Sequence, residues 1–177
     1  VVDLAGPEGS WWHVVEEAVE DSGIAWTHLE AGEFMTNYLM WADQIRRTGV
    51  VRDAYPNAAN APIDLDDIAA VAATVLLEDG HVGRAYELTG PETLTRAEMV
   101  RLIGAALGRD IPYIELTHEQ MVEQLTPTMG EYAAWYVEGM AALAENPQRA
   151  VPTVAEITGR PATTFAQWAA RNVDQFR

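Results

Sequence analysis

Trp26-Thr27-His28-Leu29-Glu30-Ala31-Gly32-Glu33-Phe34-Met35-Thr36-Asn37 passes from a strand pattern to a helix pattern across a single glycine. Alternation from Ile24 to Leu29 puts Ile24, Trp26 and His28 on one face of a strand. Gly32 breaks the run, and a helix is expected from about Phe34 to Thr48, closed by Gly49. A strand that ends in a glycine turn and feeds a helix is the repeating step of an α/β domain.

The same step recurs on both sides. Upstream, Val1–Ala5 reads as a buried strand ending at Gly6-Pro7, and Ser10 can cap a helix carrying Trp12, Val15, Ala18 and Val19 at helical spacing. Ser22-Gly23 closes that helix. Downstream, Val50–Pro56 is extended, and Asp64 or Asp66 caps a helix with the stripe Ile68, Val71, Ala72, Val75 and Leu76. Arg84–Leu88 and Ile111–Leu116 read as strands. Thr95-x-x-Glu98 and Thr117-x-x-Gln120 are capping boxes, the first opening a helix that stops at Gly108. Beyond Pro127 a helix is expected with Met129, Tyr132, Tyr136, Met140 and Leu143 on one face. Thr153-x-x-Glu156 and Thr164-x-x-Gln167 are expected to cap two short final helices. The expected fold is one α/β domain over residues 1–177, with parallel strands and crossover helices in 1–90 and a helical region in 91–177.

Composition narrows the partners. The 27 acidic residues against 11 arginines, with no lysine, give a net charge of −16. Such a surface repels phosphate backbones and anionic lipid, so neither nucleic acid nor membrane is an expected partner. No apolar run approaches the roughly 20 residues that span a bilayer. Without cysteine there is no disulfide, thiolate nucleophile or Cys-based zinc site, and a cytoplasmic location is the default expectation. Arg46, Arg47 and Arg52 form the one close cationic grouping, read as a charge complement to a helix C-terminus.

The opening stretch resembles the NmrA-like branch of the atypical short-chain dehydrogenases/reductases, where a strand ends in a Leu-Arg-Pro-Gly-x-Phe-Met-x-Asn type segment. The likeness continues through Ala61-Pro62-Ile63-Asp64-Leu65-Asp66-Asp67-Ile68 and Tyr86-Glu87-Leu88-Thr89-Gly90-Pro91-Glu92. It closes at Thr158-Gly159-Arg160-Pro161 with Thr164-Phe165-Ala166-Gln167-Trp168. The resemblance implies a truncated Rossmann-like sheet in which Val1–Ala5 matches the fifth strand, and a helix-rich C-terminal region that binds substrate. The four strands before it, with their Gly-rich phosphate turn, have no counterpart, and none of the 13 glycines falls in a G-x-G-x-x-G spacing. Glu30-Ala31 stands where the family has Arg-Pro, and the Tyr-x-x-x-Lys pair of the wider superfamily cannot form without lysine.

These departures point the reading toward redox-neutral chemistry without a cofactor, such as cyclisation, isomerisation or dehydration of a hydrophobic small molecule. Glu30 and Glu33 lie at the carboxyl end of a strand, where open α/β sheets bind ligands, and His13 has a near-neutral intrinsic pKa. These three are the candidate acids and bases. Phe34, Met35, Asn37, Tyr38, Trp41 and Tyr136 are the candidate substrate-binding residues. His28 is expected to be buried and hydrogen-bonded, and Asp64, Asp66 and Asp67 to cap a helix rather than hold a metal. Two alternatives stand beside this reading: an NAD(P)H-dependent oxidoreductase whose nucleotide-binding half lies elsewhere, and a non-catalytic ligand sensor. The unpaired edge at Val1–Ala5 predicts a homodimer or a partner chain supplying the missing half.

Overall fold

The computed structural model describes residues 2–3 and 11–177. The expected turn at Gly6-Pro7 and the Ser10 cap lie outside the described residues. Three strands form a parallel sheet in the order β1 (Val2–Asp3), β2 (Thr27–Ala31) and β5 (Arg84–Leu88). Leu29 pairs with Val2 on one side and Tyr86 on the other, so β2 is central. Between β1 and β2 runs α1 (Trp11–Asp21).

The Phe34–Thr48 segment is helical in two parts: a 3-10 turn over Met35–Trp41, then α2 (Ala42–Thr48). Gly49 ends α2 at φ 72°, a left-handed conformation that favours glycine. Next come β3 (Val51–Asp53) and β4 (Ala59–Asn60), then α3 (Leu65–Leu77), capped by Asp64, whose side chain accepts from the Asp66 amide. After β5, β6 (Leu94–Thr95) leads into α4 (Arg96–Leu107), and β7 (Tyr113–Glu115) into α5 (His118–Met129). The chain closes with α6 (Tyr132–Glu145), α7 (Thr153–Thr158), α8 (Phe165–Arg171) and a 3-10 turn over Val173–Phe176.

By its internal contacts the chain forms two compact units, each drawn from several stretches of the sequence. One comprises Val1–Thr36, Pro62–Pro91 and Ala150–Thr164; the other comprises Asn37–Ala61, Glu92–Arg149 and Phe165–Arg177. The reason is a set of long-range clasps. In the sheet unit the Met35 amide donates to the Ile63 carbonyl and the Ile63 amide to the Glu33 carbonyl, both at 2.9 Å. The Val151 amide donates to Thr89 Oγ1 at 2.8 Å, and the Thr163 amide to Asp67 Oδ2 at 2.6 Å. A Cβ on Gly90 would sit 2.1 Å from the Pro62 carbonyl oxygen, so only glycine fits there. Glu33–Met35, Pro62–Ile63, Asp67 and Thr89-Gly90, all within the sequence blocks that carry the resemblance, are thus seams of this unit. Its core is Leu29, Ala31, Ile63, Ile68, Val71, Leu88 and Val154.

The second unit has two small sheets, β3 parallel to β7 and β4 antiparallel to β6. Helix α5 packs on α6 over a core of Ala54, Met121, Leu125, Ala133, Val137 and Met140. Both expected capping boxes form, at Thr95 and Thr117. The cap expected at Thr153 does not: α7 already includes Thr153, and Pro152 before it makes no side-chain cap bond. The buried face of α6 also differs from the expected one, since Tyr132 is exposed while Ala133, Val137 and Met140 are buried. Helix α6 is apolar almost all round, so periodicity could not select the face that α5 covers.

Candidate functional site

The second unit contains an open groove of about 770 Å³, within the range of small-molecule sites. One wall comes from the 3-10 turn and α2, with Asn37, Met40, Asp43, Gln44 and Arg47; the facing wall comes from α5 and α6, with Gln124, Leu125, Met129 and Tyr136. Arg52 enters from β3. The apolar half is continuous with the core beneath it, since Met40, Met129 and Tyr136 pack on that cluster. The Tyr136 hydroxyl points to Met40 Sδ at 3.8 Å.

Arg52 is held by an unusual arrangement of its strand. One edge of β3 pairs with β7, leaving the backbone groups of Arg52 facing the other way. Gln44 Oε1 accepts from the Arg52 amide at 2.8 Å, and the Gln124 side chain donates to the Arg52 carbonyl at 3.2 Å. Two glutamines from α2 and α5 therefore occupy the edge where a third strand would lie, which blunts it against stray pairing.

Behind the groove lies a buried ionic cluster. Arg96 donates to Asp53 Oδ2 through Nε at 3.1 Å and Nη2 at 2.5 Å. Trp41 Nε1 donates to the same oxygen at 2.7 Å, and the Ala54 amide donates to Oδ1 at 2.8 Å. The Arg96 guanidinium carbon lies 5.1 Å from the Trp41 ring centroid and 5.8 Å from that of Tyr38. Burial lowers the Arg96 pKa, but the Asp53 carboxylate more than offsets this with help from the Tyr136 and Tyr38 hydroxyls, and the net shift is upward. Burial and the same carboxylate push the Tyr113 hydroxyl up, and it donates to the Ala54 carbonyl at 2.8 Å. Neither group titrates under working conditions, so the cluster is a fixed structural charge pair.

The residues singled out from the sequence are dispersed. Asn37 and Tyr136 line the groove. Tyr38 and Trp41, at 1% and 0% exposure, are packed into the core of that unit rather than set on the groove wall. The cause is polar: Tyr38 donates to Asn60 Oδ1 at 2.9 Å and Trp41 to Asp53, so both rings turn inward. Phe34 and Met35 belong to the sheet unit, Met35 being buried and Phe34 lying against the Leu29–Val71 core. Glu30 is half-buried on β2, in register with Asp3 and Glu87. His13 lies 3.5 Å from Glu16 and 3.4 Å from Glu17 on its own helix. His28 is buried, stacks on Trp26 at 4.4 Å and meets Glu20 at 3.2 Å. Sequence reasoning missed Asp53, Arg96, Met40, Gln44 and Gln124. Besides Asn37 and Tyr136, the Arg46–Arg47–Arg52 grouping points to the groove, two of its arginines lying on the groove wall.

Gly90 and Gly104, the glycines whose missing Cβ admits a close neighbour, are filled by the Pro62 and Arg109 carbonyls. Among the described residues no group of three His, Cys, Asp or Glu could hold a metal ion, and no helix is long and apolar enough to cross a membrane.

No protein-family model matches the chain. It is 40% identical over 166 residues to a (4-alkanoyl-5-oxo-2,5-dihydrofuran-3-yl)methyl phosphate reductase of Streptomyces griseus, covering 91% of this chain and 58% of that protein. It is 38% identical over 171 residues to an NAD(P)H azoreductase of Xenophilus azovorans, covering 95% of this chain and 60% of that protein. Among solved structures, the NADPH-dependent quinone oxidoreductase QOR2 of Escherichia coli superposes with a TM-score of 0.80 at 26% identity, covering 96% of this chain and 65% of that one. The α/β architecture with its small parallel sheet matches that reductase fold. The chain spans about three-fifths of the length of the curated relatives it matches. These relatives fit the resemblance read from the sequence. They overturn the expected cofactor-independent cyclase, isomerase or dehydratase, and with it the expectation of no cofactor, because the proteins similar over more than nine-tenths of the chain are named reductases. The error was physical: a phosphate loop reports only one end of a dinucleotide site, and its absence from 177 residues does not describe the other end.

Proposed function

We propose that this chain forms part of an NAD(P)H-dependent oxidoreductase and contributes its acceptor-binding portion. The observation that carries the reading is the 38–40% identity, over nearly the whole chain, to two reductases. The acceptors named for the similar proteins are a dihydrofuranone phosphate, an azo compound and a quinone. All are conjugated, electron-poor systems, and an acceptor of that class suits the amphipathic groove. The nicotinamide nucleotide would supply the hydride.

Within this scheme Asn37, Met40 and Tyr136 bind and orient the acceptor and exclude water from one of its faces. Glu30, on β2, and Glu33 belong to the sheet unit and not to this groove, and His13 is engaged by Glu16 and Glu17 on its own helix. A homodimer also belongs to the proposal. The test is NADPH oxidation by the protein at its full native length, with a quinone and an azo dye as acceptors. Saturable oxidation is expected, with KM raised by Tyr136→Ala. Absence of NAD(P)H binding would overturn the reading, and binding without turnover would favour the sensor alternative.

A further inference from the structure

We infer that the groove selects acceptors bearing an anionic substituent, with Arg52 as the recognising cation and Arg47 as its auxiliary. The inference rests on the reductase reading only in taking the ligand to be the acceptor.

Three observations carry it. First, the groove is divided: Met40, Leu125, Met129 and Tyr136 make an apolar half, and Arg47, Arg52 and Asp43 make a polar end with one positive charge in excess. An apolar body with one anionic group matches both halves. Second, the cations are not equivalent. Arg46 and Arg47 sit in the last turn of α2, where the helix dipole explains them, and Arg47 Nε lies 3.0 Å from Asp43. Arg52 lies on a strand, is exposed, and forms no ion pair among the described residues. No fold-level need accounts for its charge. Third, its backbone is already fixed by β7, Gln44 and Gln124, so engaging a ligand orders only the side chain.

The whole-molecule field sharpens the point. A chain of net charge −16 repels anions at a distance, so an anionic ligand needs a local cation to settle, whereas a neutral one does not. A guanidinium fork suits sulfonate, phosphate and carboxylate oxygens alike, and these define the ligand class.

Fluorescence titration with anilinonaphthalene sulfonate and its uncharged counterpart N-phenylnaphthylamine tests the inference, on the full protein and without nicotinamide nucleotide. Arg52→Ala is expected to weaken the sulfonate about tenfold, roughly 1.4 kcal/mol, and to leave the neutral probe unchanged. Tyr136→Ala is expected to weaken both, and Arg149→Ala neither. Unchanged urea midpoints check that the variants are folded. Sulfonate affinity that survives Arg52→Ala within about twofold, or equal losses for both probes, overturns the inference. The two readings fail separately. Arg52-dependent sulfonate binding without NADPH oxidation removes the reductase reading alone. NADPH oxidation with no Arg52 dependence for either probe removes this one alone.

Discussion

Arg96 and Asp53 concentrate the residue-scale risk of the second unit. Both are buried, at 4% and 0% exposure, and each satisfies the other's charge. A buried pair need not add net stability, but removing one partner strands the other. Arg96→Met is therefore expected to cost about 3–5 kcal/mol, read as a lower urea midpoint, whereas Tyr113→Phe, which loses one hydrogen bond to Ala54, is expected to cost only about 1 kcal/mol. Neither residue stood out in the sequence. Arg96 falls in the first turn behind the Thr95 cap, and Asp53 within the extended segment Val50–Pro56, and neither position carries a local pattern that pairs it with the other. Glu98 offers a pH test. The Thr95 amide and then the Thr95 hydroxyl hold its carboxyl below its ordinary value of 4.5. The folded pKa is the lower one, so the stabilisation is present above the unfolded value and fades as pH falls through the folded one. The difference in Tm between wild type and Glu98→Gln is expected to shrink on acidification below about pH 4.5. A constant difference would remove this account.

At the scale of elements, two helix glycines are expected to respond oppositely to the same change. Glycine in a helix interior ordinarily costs about 0.5–1 kcal/mol relative to alanine. Gly139 in α6 has nothing within 4 Å of its would-be Cβ, so Gly139→Ala is expected to raise Tm. Gly104 in α4 would place a Cβ 2.7 Å from the Arg109 carbonyl oxygen, so Gly104→Ala is expected to lower it. Differential scanning calorimetry of the two variants decides the matter. Elements were also where the sequence was most legible. The strand Arg84–Leu88, the cap at Asp64, the two capping boxes and the stops at Gly49 and Gly108 all stand where the residues place them. Each depends on hydrogen bonds or backbone angles a few residues apart. Helix α6 was not legible in the same way, because its buried face depends on α5.

For the whole molecule, the surface of the sheet unit carries the remaining prediction. Ile24, Leu76, Leu77 and Val82 are all at least 70% exposed, and a shallow apolar depression lies beside them, lined by Trp26, Ala72 and Val75. Exposed apolar patches mark surfaces that associate. The 177-residue chain by itself is expected to self-associate in light scattering, and a Leu76→Asp/Leu77→Asp variant to reduce its apparent mass. A wild type that stays monomeric at high concentration would count against this.

The sequence by itself determined the class of fold, a parallel sheet with crossover helices, and the reductase-like motif order. Those follow from short-range patterning of strand, glycine turn and capped helix. Only the tertiary structure decided how the chain divides, which face of α6 is buried, that Arg96 meets Asp53, and that Arg52 looks into a groove. These depend on contacts between residues tens of positions apart, and no local pattern encodes such a contact. The candidate site is made almost entirely of contacts of that second kind, so its most telling residue appeared in the sequence only as one arginine near two others.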